Sequence, residues 1–565
     1  MDVPANSAAP FRPSATPERP NVLLIFPRFN PNSFWSLRAA CDIYGVRCPA
    51  PPLGLITVAA LLPKEWNVRL VDRNAEELAP ADLAWADLVF TGGMLPQRVD
   101  CLEVIDLCQA EGKTVVIGGP DATSSPEIFA QADFLVLGEA EGIIDKFVQA
   151  WEEGERRGRF QAEKFKVDVA HSPIPRFDLL RAQNYMYLGV QFSRGCPFNC
   201  EFCDIIELYG RIPRSKTNQQ MLAELQALFD MGYRGHVDFV DDNFIGNKKT
   251  IKRFLPALEQ WQVEHGHPFM FSTEASINVA DDPELLGMMG RANFFAVFVG
   301  IESPDTNTLI VAQKKQNTRR SLADSVHRIY AAGMMVLAGF IVGFDTEENG
   351  VAQAMIDCIE ATSIPVCTIG MLTALPGTQL TRRLEREGRV LPFADPTKGD
   401  QCTAGLNFVT LRPRREILED YRRVLLSVYR PSSYFGRVRH VGMALRKHGL
   451  RASPNARPEP RSVIARIPKR DLLALLKVMA RMTFVRTDLT VLFWRTFIGT
   501  ARNNPAALQA VVTQMVLFLH LGEFAKFVVR EVDHQIDAID REGEPPRADA
   551  GPAVWRAARS AALTR

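Results

Sequence analysis

The sequence predicts an α/β chain: an N-terminal Rossmann-like domain, a partial (β/α)6 TIM-type barrel and a C-terminal, mainly helical extension. Three observations carry this. Short, continuously apolar runs alternate with helical patterns over 20–150, as in a parallel sheet covered on both faces. A second alternation of six such runs fills 187–400, and in a barrel of that kind the chemistry lies at the strand C-termini. Beyond 400 the strand pattern stops, and Arg-rich segments of helical period replace it.

A chain of 565 residues is too long for one core, so two to four domains are expected. Composition is that of an ordinary globular protein, 47% hydrophobic and 23% charged, with formal net charge +1. Nothing global therefore argues for nucleic acid, although 401–565 carries roughly fourteen more Lys and Arg than Asp and Glu. Ten Cys in so long a chain make no disulfide framework. The start, Met1-Asp2-Val3-Pro4-Ala5-Asn6, shows neither the basic nor the apolar region of a signal peptide. A cytoplasmic location is expected. Residues 1–19, rich in Pro, Ala and Ser, read as a disordered tail.

In the first domain, strands are expected at 22–26, 67–72, 87–93, 114–119 and 134–139. Thr91-Gly92, Gly118-Gly119 and Gly138-Glu139 stand at strand ends, where glycine lets a ligand lie against the backbone. Cys41 and Cys48, before Pro51, read as reduced thiols without a role. Residues 151–186 are charged and irregular and read as a linker.

Barrel strands are expected at 187–192, 236–240, 269–273, 295–301, 335–342 and 366–371. The first is followed by Ser193-Arg194-Gly195-Cys196-Pro197-Phe198-Asn199-Cys200-Glu201-Phe202-Cys203. Three thiolates on one short loop can hold three irons of a 4Fe-4S cube and leave the fourth open. Zinc is the bland alternative, but it needs a fourth ligand, and the C-terminal flank offers no Cys or His before His236. Polar runs stand at four further strand ends: Asp241-Asp242-Asn243-Phe244, Ser272-Thr273-Glu274, Gly300-Ile301-Glu302-Ser303 and Gly339 to Glu348.

Residues 401–540 read as a basic helical domain, with a Pro- and Arg-rich linker over Arg451 to Arg461. The run Asn503–Gly522 has no formal charge but is interrupted by polar residues, so it reads as a buried helix rather than a membrane span. Basic helices bearing Phe, Leu and Trp suit peripheral contact with the inner face of a membrane, against the alternative of a solvated cap. The tail 541–565 reads as loose.

The Cys196, Cys200, Cys203 spacing, with Phe202 before the last Cys, resembles the signature of the radical S-adenosylmethionine (radical SAM) enzymes. Gly300-Ile301-Glu302-Ser303 and the Gly339 to Glu348 run resemble that family's later motifs. The resemblance implies a 4Fe-4S cluster and S-adenosyl-L-methionine as cofactors, with cleavage to a 5′-deoxyadenosyl radical. It implies Asp241 and Asp242 at the methionyl ammonium, and Ser272 and Glu274 at ribose or methionyl groups. Glu302 and Ser303 would serve the ribose or carboxylate, and Phe202 and Gly343 the adenine.

Residues 20–145 resemble the cobalamin-binding domain found ahead of many such barrels. Cobalamin contacts are then implied at Thr91, Gly92, Gly118, Gly119, Gly138 and Glu139, although no D-x-H motif, whose His would ligate cobalt, occurs. Pro51-Pro52-Leu53-Gly54-Leu55, Leu62-Pro63-Lys64-Glu65-Trp66 and Asp241-Asp242-Asn243-Phe244 carry a narrower likeness to the hopanoid 2-methyltransferase group. That likeness implies C-methyl transfer to an unactivated carbon of a small-molecule, lipidic substrate, with a flavodoxin- or ferredoxin-type electron donor. No nucleic-acid partner is expected. The alternatives are a ring-forming or oxidative cyclase of the same architecture, and a cluster- or cobalamin-binding sensor without turnover.

Overall fold

The computed structural model describes residues 19–391, 400–445 and 469–543. The expected N-terminal tail up to 18, the Arg451 to Arg461 linker and most of the C-terminal tail lie outside them.

The first sheet is parallel throughout, in the order β2-β1-β3-β4-β5-β6. Its strands are β1 (Asn21–Phe26), β2 (Asn67–Asp72), β3 (Leu88–Gly92), β4 (Thr114–Gly118), β5 (Phe134–Leu137) and β6 (Gly158–Gln161). Alternate residues of one strand feed separate cores. Leu23, Ile25, Val115 and Ile117 enter one layer, and Val22, Leu24, Val116 and Phe134 the other. This two-sided burial is why the strands read as unbroken apolar runs. The sixth strand falls inside the stretch expected to be an irregular linker from 151. As an edge strand it alternates half-buried and exposed residues, so Gly158-Arg159-Phe160-Gln161 has no apolar run to reveal it.

The second sheet, also parallel, has the order β14-β13-β12-β11-β10-β7. It comprises β7 (Leu188–Val190), β10 (Gly235–Phe239), β11 (Phe269–Glu274), β12 (Phe294–Glu302), β13 (Met335–Val342) and β14 (Cys367–Met371). Its ends β7 and β14 do not pair with each other, so the barrel is partial. Between β7 and β10, β8 (Ser193–Arg194) and β9 (Arg214–Ser215) form a short antiparallel hairpin.

The C-terminal helices share the barrel's core rather than forming a separate one. Tyr421 donates its hydroxyl to the carbonyls of Ile369 (2.9 Å) and Cys402 (3.0 Å), and the buried Arg437 donates Nε to Ile364 at 2.9 Å. The last helix, Leu508–Glu542, is long and apolar enough to cross a membrane, yet its apolar window is 67% buried inside the protein. It is a core helix, as its polar interruptions suggested. His520 on it reaches the N-terminal segment, with Nε2 3.1 Å from the Phe34 carbonyl.

Candidate active site

All three clustered Cys lie on the loop of the β8–β9 hairpin, beside the C-terminal end of the barrel. Three consecutive residues after β10 grip this hairpin. Asp241 accepts from the Phe192 amide (2.9 Å) and from the amide and hydroxyl of Ser193 (2.6 Å each). Asp242 accepts from the Gly195 amide at 2.7 Å, and Asn243 donates Nδ2 to Cys196 Sγ at 3.7 Å. The carboxylates expected at a methionyl ammonium thus go to hairpin backbone. Burial pushes Asp241 up to about 7 and Asp242 up to about 6. Gly195 sits at φ +96, and a Cβ there would stand 2.9 Å from the Gly210 carbonyl, so only glycine serves.

Every described Cys is free of disulfides. Cys200 is buried, Cys196 and Cys203 half-buried. Gln316 donates Nε2 to Cys200 Sγ at 3.6 Å. Burial raises the Cys196 thiol, opposed by the Phe198 amide and the Asn243 side chain. Burial, then Asp204, Cys200 and Cys196, pushes Cys203 well up. Among the described residues no three Cys, His, Asp or Glu side chains converge closely enough to hold a single ion. A cube spreads its ligands over separate irons. Three neighbouring thiols on one loop, two of them facing amide donors that favour a thiolate, fit that larger group.

Beside the loop stands a pair that sequence reasoning half missed. Glu302 has φ +66, at the register shift that ends the β12–β13 pairing. Its carboxylate meets Lys314 at 2.5 Å, and both side chains fill the space where a Cβ on Gly300 would stand. Burial opposes the charge on Lys314, but Glu302 and then the Cys200 and Cys203 sulfurs hold its proton. Its Nζ lies 5.9 Å from the Phe202 ring, which in turn meets Phe344 edge-on at 5.9 Å. Lys314 lies in a loop that folds back on β12, where Asn317 donates Nδ2 to the Gly300 and Ile301 carbonyls (3.0 and 3.1 Å). No spacing rule marks it, because Lys315 beside it is indistinguishable in sequence.

Other expected residues meet neighbours within the chain. Ser303 is fully buried and accepts from the Asp305 amide at 3.2 Å. Gly343 (φ +107) donates its amide to Glu347 at 2.8 Å, and a Cβ on it would stand 2.6 Å from Leu406. Ser272 donates to Asp238 and lies 2.6 Å from His236 Nε2. Glu274 reaches solvent at the barrel mouth yet is walled by protein. That enclosure, then Asp238, Asp242 and Asp241, pushes its carboxyl up to about 8.

On the first sheet Thr91 is buried, donating its hydroxyl to Ile25 at 3.0 Å. Gly92 and Gly118 are required by backbone packing: a Cβ on Gly118 would stand 2.8 Å from the Val136 carbonyl. Gly119 and Gly138 take φ of +88 and +85. Glu139 joins the domains. It accepts from Arg194 Nη1 (3.0 Å) and Arg214 Nη1 (2.7 Å), while Glu141 accepts from Arg194 Nη2 at 2.7 Å. Apolar side chains also bridge: Trp35, 44% exposed, lies 5.8 Å from Phe298 of β12.

A profile described as the radical SAM superfamily matches residues 190–358, and a domain of unknown function, DUF4070, matches 378–534. An uncharacterized methyltransferase, sll1242, of Synechocystis sp. is 44% identical over 92% of this chain and 95% of its own length. The hopanoid C-2 methylase of Rhodopseudomonas palustris is 33% identical over 89% of this chain and 93% of its own. In fold the chain is similar to OxsB, a cobalamin-dependent S-adenosylmethionine radical enzyme (TM-score 0.55, 14% identity, 97% of this chain and 84% of that one). It is likewise similar to TsrM of Kitasatospora setae, a radical S-adenosylmethionine methyltransferase (TM-score 0.54, 16% identity, 66% and 79%). The chain therefore belongs to the radical SAM superfamily, within the methyltransferase family that includes the hopanoid C-2 methylase.

Proposed function

We propose that this radical SAM methyltransferase is cobalamin-dependent and transfers a methyl group to an unactivated carbon of a lipidic, hopanoid-like substrate. One observation carries the reading: the three-thiol hairpin is tied by Arg194 and Arg214 to Glu139, at the end of a strand in the first sheet. Two cofactor-type regions thereby share one boundary. When bound, the cluster, SAM and cobalamin supply reductive radical formation and a transferable methyl group.

This chain's residues supply holding and enclosure. Cys196, Cys200 and Cys203 would ligate the cluster, with Asn243 and Gln316 offering hydrogen bonds to sulfur. Lys314 would meet a carboxylate and Glu302 a hydroxyl or ammonium, each in a largely desolvated setting that strengthens such bonds. Phe202 and Phe344 offer ring edges to a planar base. Gly119 and Gly138 leave bare backbone at the strand ends, which suits the close approach of cobalamin, and Met94, two residues past the end of β3, stays 50% exposed. Apolar and polar side chains are interleaved on the barrel strands: Phe295 packs on His236, Phe298 meets Trp35 and is the register partner of Glu274, and Ser272 joins His236 to Asp238. An apolar skeleton bearing one polar group suits that mixture.

The relationship to the hopanoid C-2 methylase supports the substrate class. A flavodoxin- or ferredoxin-type donor, a cytoplasmic location and peripheral membrane contact complete the reading. Anaerobic purification with iron, sulfide and corrinoid analysis tests it, followed by mass spectrometry of products for the gain of one methyl. Absence of corrinoid after reconstitution, or an unaltered hopanoid profile in a deletion strain, would sink the corresponding part.

A further inference from the structure

The helical extension exposes apolar side chains that a water-facing surface does not explain. They cluster where the helix Lys469–Ala480 passes through a π-turn, Arg481–Val485, into the helix Thr490–Asn503. Phe484 is 79% exposed, Val491 77% and Val485 69%. The π-turn and the following helix are locked together: Thr490 donates to the Met482 carbonyl at 3.0 Å and Trp494 Nε1 to Thr483 at 3.1 Å. The apolar tip is thus a fixed feature.

Its charges are one-sided. On the second helix Val491, Arg495, Ile498 and Arg502 recur at the spacing of one face, all exposed, while Phe493, Thr496 and Thr500 on the opposite side are buried. Leu473 and Leu476 are exposed beside Lys477 on the first helix. Two acids near this face, Asp488 and Glu523, are already engaged. Asp488 pairs with Arg486, and Glu523 with Arg486 and Lys526.

Arg439, on the helix Pro431–Ala444, has the opposite problem. Its Nη1 is buried and has no hydrogen-bond partner among the described residues. Burial and then the neighbouring Arg495 disfavour its charge. With that donor closed to solvent, the cations that this face offers to an anion are the exposed Arg495 and Arg502.

We propose that this face docks on an anionic lipid bilayer, with Phe484, Val485 and Val491 among the acyl chains and the exposed Arg495 and Arg502 on lipid phosphates. The contact is peripheral, because the helix long enough to span is buried in the core. Apolar side chains supply depth and the arginines supply preference for negative headgroups. This deepens the membrane contact of the proposed function by assigning it a surface.

Cosedimentation of the full-length protein with phosphatidylcholine vesicles, with and without phosphatidylglycerol, tests it without turnover, so failure leaves the radical chemistry standing. Binding should rise at least about tenfold with phosphatidylglycerol. Phe484→Glu should lower it by a similar factor of about ten, with the thermal midpoint and iron content unchanged. Arg495→Glu should remove the phosphatidylglycerol preference while keeping residual binding. Vesicle binding unaffected by Phe484→Glu overturns the assignment. So does a wild-type dimer that fails to bind vesicles and becomes monomeric in Phe484→Glu, which would give the face to a second copy.

Discussion

Asn243 donates its side-chain amide to Cys196 Sγ from 3.7 Å, and its carbonyl oxygen lies 3.2 Å from the Ser276 amide. The amide is thus held by one strand end while it serves the sulfur of another loop. A bond of this kind steadies a thiolate ligand. Asn243→Ala is expected to weaken cluster retention about ten- to a hundredfold, read as iron loss to a chelator under anaerobic conditions. Retention equal to wild type would remove the role.

The thiols themselves admit a sharper test. Cys200→Ala removes the buried member of the three thiols proposed to hold the cluster. Iron content should fall, and 5′-deoxyadenosine formation from SAM by dithionite-reduced protein should drop to background. Continued formation would contradict the cluster assignment.

Lys314 and Glu302 are each about nine-tenths enclosed in their side chains. Lys314→Met would leave a buried carboxylate unpaired, a loss of about 3–5 kcal/mol. The double variant with Glu302→Gln should recover most of that stability in a denaturant titration but not SAM binding. Full SAM affinity in the double variant would make the pair purely structural.

Both sheets and the thiol loop were legible because their signals are local. Unbroken apolar runs mark two-sided strands, and the Cys spacing sits within eight residues of chain. What escaped depends on distant partners. β6 is an edge strand without an apolar run, and Lys314 gains meaning only where its loop folds back over Gly300. Glu139 was legible as a strand-end residue, but its partners Arg194 and Arg214 lie 55 and 75 residues away. Asp241 and Asp242 accept from hairpin amides that the sequence does not reveal, since it shows that a carboxylate stands at a strand end and not which amide it faces.

Glu274 gives a pH dependence. Its carboxyl is pushed from an ordinary 4.5 up to about 8 by enclosure, then by Asp238, Asp242 and Asp241. The folded state therefore keeps a proton that the unfolded chain has already lost. Stability contributed by this group is present below about pH 4.5 and declines as pH rises to about 8. Glu274→Gln should flatten that decline and melt above wild type at the alkaline end of a Tm series from pH 5 to about 9. Parallel Tm curves would refute the shift.

The link between the two sheets should govern coupling rather than radical formation. Arg194 directly precedes Gly195 and Cys196, and its guanidinium is divided between Glu139 and Glu141. Burial works against Glu141, but Arg194 overrides it and holds the carboxyl at about 2. The link therefore persists across physiological pH. Arg194→Met leaves Glu141 with Ser172 and Glu139 with Arg214, so the hairpin's tie to the first sheet is reduced to Arg214 while Asp241, Asp242 and Asn243 still grip it from the barrel side. SAM cleavage should survive and methyl transfer should fall. The ratio of 5′-deoxyadenosine to methylated product is expected to rise about tenfold or more, since small misplacements at a reacting centre cost rate steeply. Because the grip on the Cys loop is retained, iron content should stay near wild type. Equal losses of both products would mean that the ion cluster serves folding instead of registration.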